Sequence, residues 1–359
     1  MAFLKKKKTA QDPLANPKFR GAGFFENLRE TIVGDIRPLT TVQIEITSVC
    51  GSKCGYCPHT TMAEKWHSRH ISAEVMASLW PLLRNAHFAH LQGWGEPLLH
   101  PRFFDFVKFA AKAGCQTSTT SCGARLNEEI LDRLVKEGPE VIAFSLVGTD
   151  SQSNKARAGA DFDEVCANIS KLAEKIGEAG HGPEIHLAYL LLADQMDAVK
   201  KLPDLMEKLD VKAAVVSTLD YLALPDQKEL AFAPYEHEKI DKARKLLTEA
   251  ADRAKAAGRQ IIFGLPDEDT ICETGCRENI ANSLYVDADG QISPCVYLNV
   301  PARDTARENV VFGNSLEDNI WEIWKKPEYR DFRDSLVSGD TPAQCLHCPK
   351  RKEKVFLGE

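Results

Sequence analysis

The sequence predicts an α/β fold: a partial (β/α)6 TIM-like barrel followed by a small cysteine-rich α+β C-terminal domain. Three observations predict it. From about residue 40 to residue 220, short β-like runs alternate with longer amphipathic stretches, six times over. That rhythm then gives way to one long charged helix at about 234–257. Five of the eleven cysteines follow between Cys272 and Cys348, around a hairpin signal. Eight βα units would close a barrel, so six argue for an open one.

The elements follow in order. "TTVQIEIT" (40–47) has the alternation of a strand, and the loop "CGSKCGYC" comes directly after it. "ISAEVMASLWPLLRNA" has helical spacing that Pro81 should kink or shorten. "FAHLQGW", "QTSTTS", "VIAFSLV", "EIHLAYLLL" and "VKAAVVST" supply the remaining strands. Asn127 and Asp161 stand where helix N-caps are expected, and Gly114, Gly138 and Gly180 where helices should stop. "QIIFG" leads into the second cysteine group, and "LYVDADGQISPCVYL" reads as a hairpin turning at Asp289-Gly290. The expected division is an N-terminal extension, partly disordered, over 1–39, the barrel over 40–225, a connecting helix region over 226–264, and the cysteine-rich domain over 265–359. In barrels and open α/β sheets the chemistry sits at the C-terminal ends of the strands, where the first cysteine loop falls.

Composition narrows the function classes. With 43% hydrophobic and 27% charged residues, the 359-residue chain reads as a soluble globular protein. A net charge of −7 argues against a nucleic-acid partner. The run Lys5–Lys8 is followed by no apolar stretch, so it reads as a solvated tail rather than a signal peptide. No window approaches the roughly 18 apolar residues of a membrane span, so no membrane partner is expected and the location expected is cytoplasmic. Cysteines this numerous without an export signal point to metal or catalysis rather than to disulfides.

Cys50, Cys54 and Cys57 form C-x3-C-x2-C with no fourth cysteine nearby. A structural zinc takes four ligands, and so does an ordinary 4Fe–4S cluster. Three thiolates leave one position open, which turns a structural role into a chemical one. Spacing alone leaves a zinc knuckle possible.

The segment "IEITSVCGSKCGYC" resembles the signature of the radical S-adenosylmethionine (SAM) enzymes. That resemblance implies that Cys50, Cys54 and Cys57 hold a 4Fe–4S cluster whose open iron is chelated by SAM. Reductive cleavage then yields a 5′-deoxyadenosyl radical that abstracts hydrogen from a substrate, and Tyr56 stands near the adenine. "GWGEPLLHP" (93–101) matches the family's Gly-Glu-Pro segment, which implies that Gly95 and Glu96 take the amino group of SAM. "TSTTSCGARL" resembles the third-strand region, whose polar side chains approach the cofactor. "FSLVGTDSQSNKARAGADF" resembles the fourth-strand segment, placing Ser145 at the ribose and Arg157 at the methionine carboxylate. Two departures stand out: Val147 replaces a frequent Asp, and Ala158 separates Arg157 from Gly159.

In the tail, Cys276, Gly290 and Cys295 have the spacing that opens the auxiliary-cluster modules SPASM and Twitch, and Cys345 and Cys348 form C-x2-C. Five cysteines are fewer than a full SPASM module carries. The resemblance implies one auxiliary 4Fe–4S cluster held by Cys276, Cys295, Cys345 and Cys348, with zinc as the rival occupant and Cys272 as the surplus thiol. Cys115, Cys122 and Cys166 are expected in the packing. His59, His100 and His347 lie near the presumed sites without metal-ligand spacing, and Trp94 is expected at the cofactor pocket. The implied function is oxidative modification or maturation of a peptide or protein substrate, with flavodoxin or ferredoxin as low-potential donor. The alternatives are a radical SAM dehydrogenase of a small alcohol or sugar-like molecule, and a non-enzymatic zinc or iron–sulfur scaffold.

Overall fold

The computed structural model describes residues 39–356 apart from 271, 273, 274, 306 and 307. The expected N-terminal extension, with its lysine run, lies outside the described residues except for Leu39.

The six expected barrel strands all form. They are β1 (Leu39–Ile44), β3 (Ala86–His90), β4 (Gln116–Ser121), β5 (Val141–Leu146), β7 (Glu184–Leu191) and β8 (Ala213–Thr218), paired in parallel in that order. The labels β2 (Lys53–Cys54) and β6 (Arg157–Ala158) belong to a separate two-stranded antiparallel ribbon. β9 (Gln260–Pro266) adds a seventh parallel strand beside β8, and β10 (Ser283–Val286) an eighth beside β1. The sheet stays open. β10 is followed by β11 (Gln291–Ser293) and β12 (Gly313–Asn314), and β9 is covered by the antiparallel β13 (Glu353–Phe356). Among the described residues the cysteine-rich segment thus builds no sheet of its own; it extends both edges of the barrel sheet. A covered edge has its backbone donors and acceptors paired, which removes the template for edge-to-edge association.

Strand alternation separates two environments. On β5, Ile142, Phe144 and Leu146 are fully buried under the helices, while Val141, Ala143 and Ser145 turn inward and are half-buried. Register places Gln43 beside His90 and His90 beside Ser118 on that inner face. His90 Nδ1 lies 2.8 Å from Ser118 Oγ, and its Nε2 lies 2.9 Å from Gln92 Oε1. The lumen wall is therefore polar, and the apolar core lies between sheet and helices.

Local signals set the helix ends. Asn127 Oδ1 accepts from Ile130 N, and Asp161 Oδ1 accepts from Glu164 N, at 2.9 Å each. Gly114 and Gly180 end their helices with φ of 101° and 68°, in the left-handed region. Gly138 ends its helix differently, in extended backbone, where a Cβ would meet the Leu134 carbonyl at 2.3 Å. Pro81 divides its helix into Ala73–Ser78 and Trp80–Leu83, as expected. The hairpin forms as read, with Gly290 at φ 83° and Asp287 Oδ1 accepting from Asp289 N and Gln291 N.

Candidate active site

The cysteine loop leaves β1 at the C-terminal rim of the sheet. Glu45, immediately after β1, is fully buried; its Oε2 accepts from Trp94 N at 2.9 Å. Burial pushes its carboxyl up to about 7, against that hydrogen bond and the nearby Arg69. Gly93 packs on the Glu45 side chain, where a Cβ would come within 2.4 Å. At Gly95 a Cβ would stand 2.3 Å from the Thr47 carbonyl oxygen, so this turn and the cysteine loop touch backbone to backbone. Glu96 N donates to Val49 O at 2.8 Å across the same contact.

The Glu96 side chain is buried and anchored. Its Oε1 accepts from Ser121 Oγ (2.9 Å) and Leu98 N (3.1 Å), and its Oε2 from Cys122 N (2.6 Å). Ser121 and Cys122 sit at the C-terminal end of β4 and were not singled out as partners of Glu96; "TSTTSCGARL" signalled only that polar groups gather there. Cys122 corrects the packing expectation in part. It is half-buried and lines a narrow cleft with Gly51, Ser52, Glu96 and Gly159. Cys115 and Cys166 are buried as expected, and Cys115 Sγ donates to Leu83 O at 3.0 Å.

Arg157 reaches the loop through the β2–β6 ribbon, whose register sets it opposite Cys54. Its Nη1 donates to the Tyr56 hydroxyl at 2.8 Å inside the protein. Burial opposes the charge on its guanidinium, but the Tyr56 phenol and the Cys54 and Cys122 thiols outweigh that and raise its pKa. Cys54 and Tyr56 are buried, and Cys50 and Cys57 half-buried. Ser145 faces the lumen from β5.

The three thiols crowd one another. Burial, and then Cys54 and Cys50, push the Cys57 thiol up to about 12, and Cys50 is raised by burial as well. Three thiolates in so dry a place need a cationic partner, which an iron–sulfur cluster supplies. The tail has the same chemistry. Cys276, Cys295 and Cys345 pack in one apolar cluster with Ile280, Leu298 and Leu336. Cys295 is raised well above the usual thiol range by burial, then by Glu278, Cys348, Cys276 and Cys345. Among the described residues no three His, Cys, Asp or Glu side chains close around a single-ion point; the thiols are neighbours rather than a closed shell. Cys272 Sγ lies 3.5 Å from the carbonyl oxygens of Lys350 and Glu353.

Trp94 connects the two cysteine regions. Its Nε1 donates to the carbonyls of Val296 and Asn299, just after Cys295, at 3.3 and 3.1 Å. Its ring stands 5.5 Å from Tyr221 and 6.3 Å from Tyr297. Close by, Lys350 is buried with its Nζ 3.0 Å from Asp220 and 2.6 Å from Glu353, tying the tail to the rim beyond β8.

Residues 44–185 match the radical SAM superfamily, and residues 276–349 match the SPASM iron–sulfur cluster-binding domain. The chain is a radical SAM enzyme. It is 26% identical over 326 residues to a tungsten-containing aldehyde ferredoxin oxidoreductase cofactor-modifying protein of Pyrococcus furiosus, covering 88% of each chain. It is 22% identical to a PqqA peptide cyclase of Granulibacter bethesdensis, over 88% of this chain and 81% of that one. Streptococcus suis SuiB bound to S-adenosylmethionine has the same fold, with a TM-score of 0.68 at 13% identity, over 98% of this chain and 81% of that one. The cofactors of this radical SAM enzyme are SAM, a 4Fe–4S cluster and an auxiliary iron–sulfur centre in the SPASM region. Among the described residues no helix is long and apolar enough to cross a membrane.

Proposed function

We propose that this radical SAM enzyme oxidatively modifies or matures a peptide or protein. The observation that carries the proposal is the bridge at Trp94, which brings the turn before Glu96 against the backbone after Cys295. A substrate at the rim then meets both cysteine regions. The PqqA peptide cyclase and the cofactor-modifying protein, whose names describe modification chemistry, support the same reading.

In this reading Cys50, Cys54 and Cys57 hold the SAM-binding cluster, and Cys276, Cys295, Cys345 and Cys348 the auxiliary one. Bound together, the first cluster and SAM supply a deoxyadenosyl radical when an electron arrives. The protein's part is positioning. Gly95 and Glu96 hold the amino group of SAM, and Ser121 and Cys122 fix the Glu96 carboxylate that does so. Arg157 takes the methionine carboxylate, Tyr56 lies by the adenine and Ser145 by the ribose. The electron comes from flavodoxin or ferredoxin, and the cytoplasm is where such carriers and reduced thiols coexist.

The test is anaerobic reconstitution with iron and sulfide, followed by metal counting and dithionite reduction with SAM. The expected result is about eight irons per chain, with 5′-deoxyadenosine formed and lost in a Cys50/Cys54/Cys57→Ala variant. About four irons, with zinc in the tail, would remove the auxiliary cluster from the reading. No nucleoside from the unaltered chain would end it.

A further inference from the structure

We propose that the outer face of the β2–β6 ribbon is the docking surface for an acidic one-electron carrier protein, and that the electron enters the three-cysteine site through this wall one strand thick. The inference rests on the radical SAM reading of that site.

Strand alternation makes the wall. In β2, Cys54 is turned inward and buried while its neighbour Lys53 is exposed. In β6, Arg157 is turned inward, 8% exposed, while Ala158 is exposed. One residue therefore separates solvent from a cysteine of the loop. The outer face is also low. Exposed Gly55 and Gly159 flank it, and Gly159 holds φ 84° with a would-be Cβ 3.2 Å from the Gly51 carbonyl oxygen, so the backbones lie close with no side chain between them.

Its charge selects the partner. Beside the ribbon lies an open cleft of about 400 Å³ lined by Arg125, Lys155, Arg157 and Gly159, and Arg125 packs against Gly51. Lys53, Arg125 and Lys155 are exposed and enter no ion pair among the described residues. Some surface cations elsewhere pair, as Lys171 and Lys175 do with Glu128, and others, such as Lys112 and Lys245, do not among the described residues; what marks this face is that its cations gather beside the cysteine loop. Two acids share the cleft and keep their charge, Asp161 accepting from Glu164 N and Glu164 from Arg125 N at 2.7 Å; Lys53, Arg125, Lys155 and Arg157 outnumber them. A chain of net charge −7 repels an acidic partner over most of its surface and attracts it at this cationic rim, which favours one docking orientation. The step moves one electron: the carrier's reduced flavin or cluster is oxidised, the three-cysteine cluster is reduced, and no bond is made or broken in the docking complex.

The test uses the reconstituted full chain and a reduced acidic flavodoxin. A Lys53→Glu/Lys155→Glu variant should form 5′-deoxyadenosine at least about tenfold more slowly with flavodoxin at low ionic strength. With dithionite its rate should equal that of the unaltered chain. Raising the salt should slow the flavodoxin-driven reaction of the unaltered chain and leave the variant flat. Oxidised flavodoxin, titrated calorimetrically into each protein, should bind the variant correspondingly more weakly. If the charge reversals disturb folding, Lys53→Ala/Lys155→Ala should show the same pattern at smaller amplitude. Equal flavodoxin affinity and rate in variant and unaltered chain would overturn the proposal. So would an equal loss with both reductants, or a changed KM for a peptide substrate under dithionite, since the face would then serve the cluster or the substrate. Absence of any nucleoside from the unaltered chain with dithionite would instead defeat the functional reading beneath it.

Discussion

The carboxylate of Glu96 accepts from Ser121 Oγ, Cys122 N and Leu98 N, so both oxygens are already oriented when a ligand arrives. In Glu96→Gln the amide nitrogen replaces one acceptor and faces an N–H or O–H donor. Such a mismatch in a buried place costs about 1–3 kcal/mol. SAM affinity should fall tenfold or more, read by equilibrium dialysis, with 5′-deoxyadenosine output falling in step. Glu45 gives a pH signature of its own. Its carboxyl is raised from 4.5 to about 7, so the native state holds a proton that the unfolded chain releases earlier. Stability from this group is therefore greatest below pH 4.5 and is lost as pH rises through 7, by about 3 kcal/mol in all. In Glu45→Gln that loss disappears, while the introduced amide keeps an oxygen for Trp94 N. Urea unfolding across pH 5–8 should show the variant gaining on the unaltered protein as pH rises.

At the scale of elements, the turn 93–96 and the loop 45–57 behave as one piece, because they meet through backbone atoms that cannot move aside as side chains do. Gly95→Ala places a methyl 2.3 Å from the Thr47 carbonyl oxygen and 2.7 Å from that of Val49. Relief requires separating the two segments, and Glu96 N would lose its bond to Val49 O. The expected outcome is a loss of at least about 2 kcal/mol in unfolding free energy, together with failure of SAM to protect the protein against proteolysis. The ribbon acts similarly, since its register fixes where Arg157 enters the cysteine loop. Two-residue strands such as these have no hydrophobic period, and only the fold supplies their partner.

On the scale of the molecule, the tail is bound to the barrel through both sheet edges and through Lys350. Lys350 stands between Asp220 and Glu353 with all three side chains buried, and the two carboxylates outweigh burial to hold its pKa well above the usual lysine range. Lys350→Ala would strand Asp220 without a counter-charge and leave Glu353 only the longer pair with Arg277 at 4.0 Å, a loss of about 3–5 kcal/mol. Differential scanning calorimetry should show a large drop in Tm, and because β13 covers the edge at β9, the variant should also associate more readily on heating. A tail hung on the barrel by a flexible tether would show neither effect.

The sequence by itself determined the six βα units, the helix caps at Asn127 and Asp161, the hairpin at Gly290 and the crowding of cysteines into two groups. These are local properties: hydrophobic period, capping chemistry and turn geometry act over a few residues and leave their mark there. Gly95 and Glu96 stood out in the sequence only through the resemblance of "GWGEPLLHP" to the family's Gly-Glu-Pro segment. Only the tertiary structure decided that Ser121 and Cys122 grip Glu96, that Arg157 bonds to Tyr56 across 101 residues, and that Trp94 reaches the backbone after Cys295. It also decided that the cysteine-rich tail extends the barrel sheet at both edges instead of folding apart. Each of these pairs segments far apart in sequence, and such pairings are selected by burial and by the need to satisfy every buried donor and acceptor, which belong to the assembled fold and to no single stretch of chain.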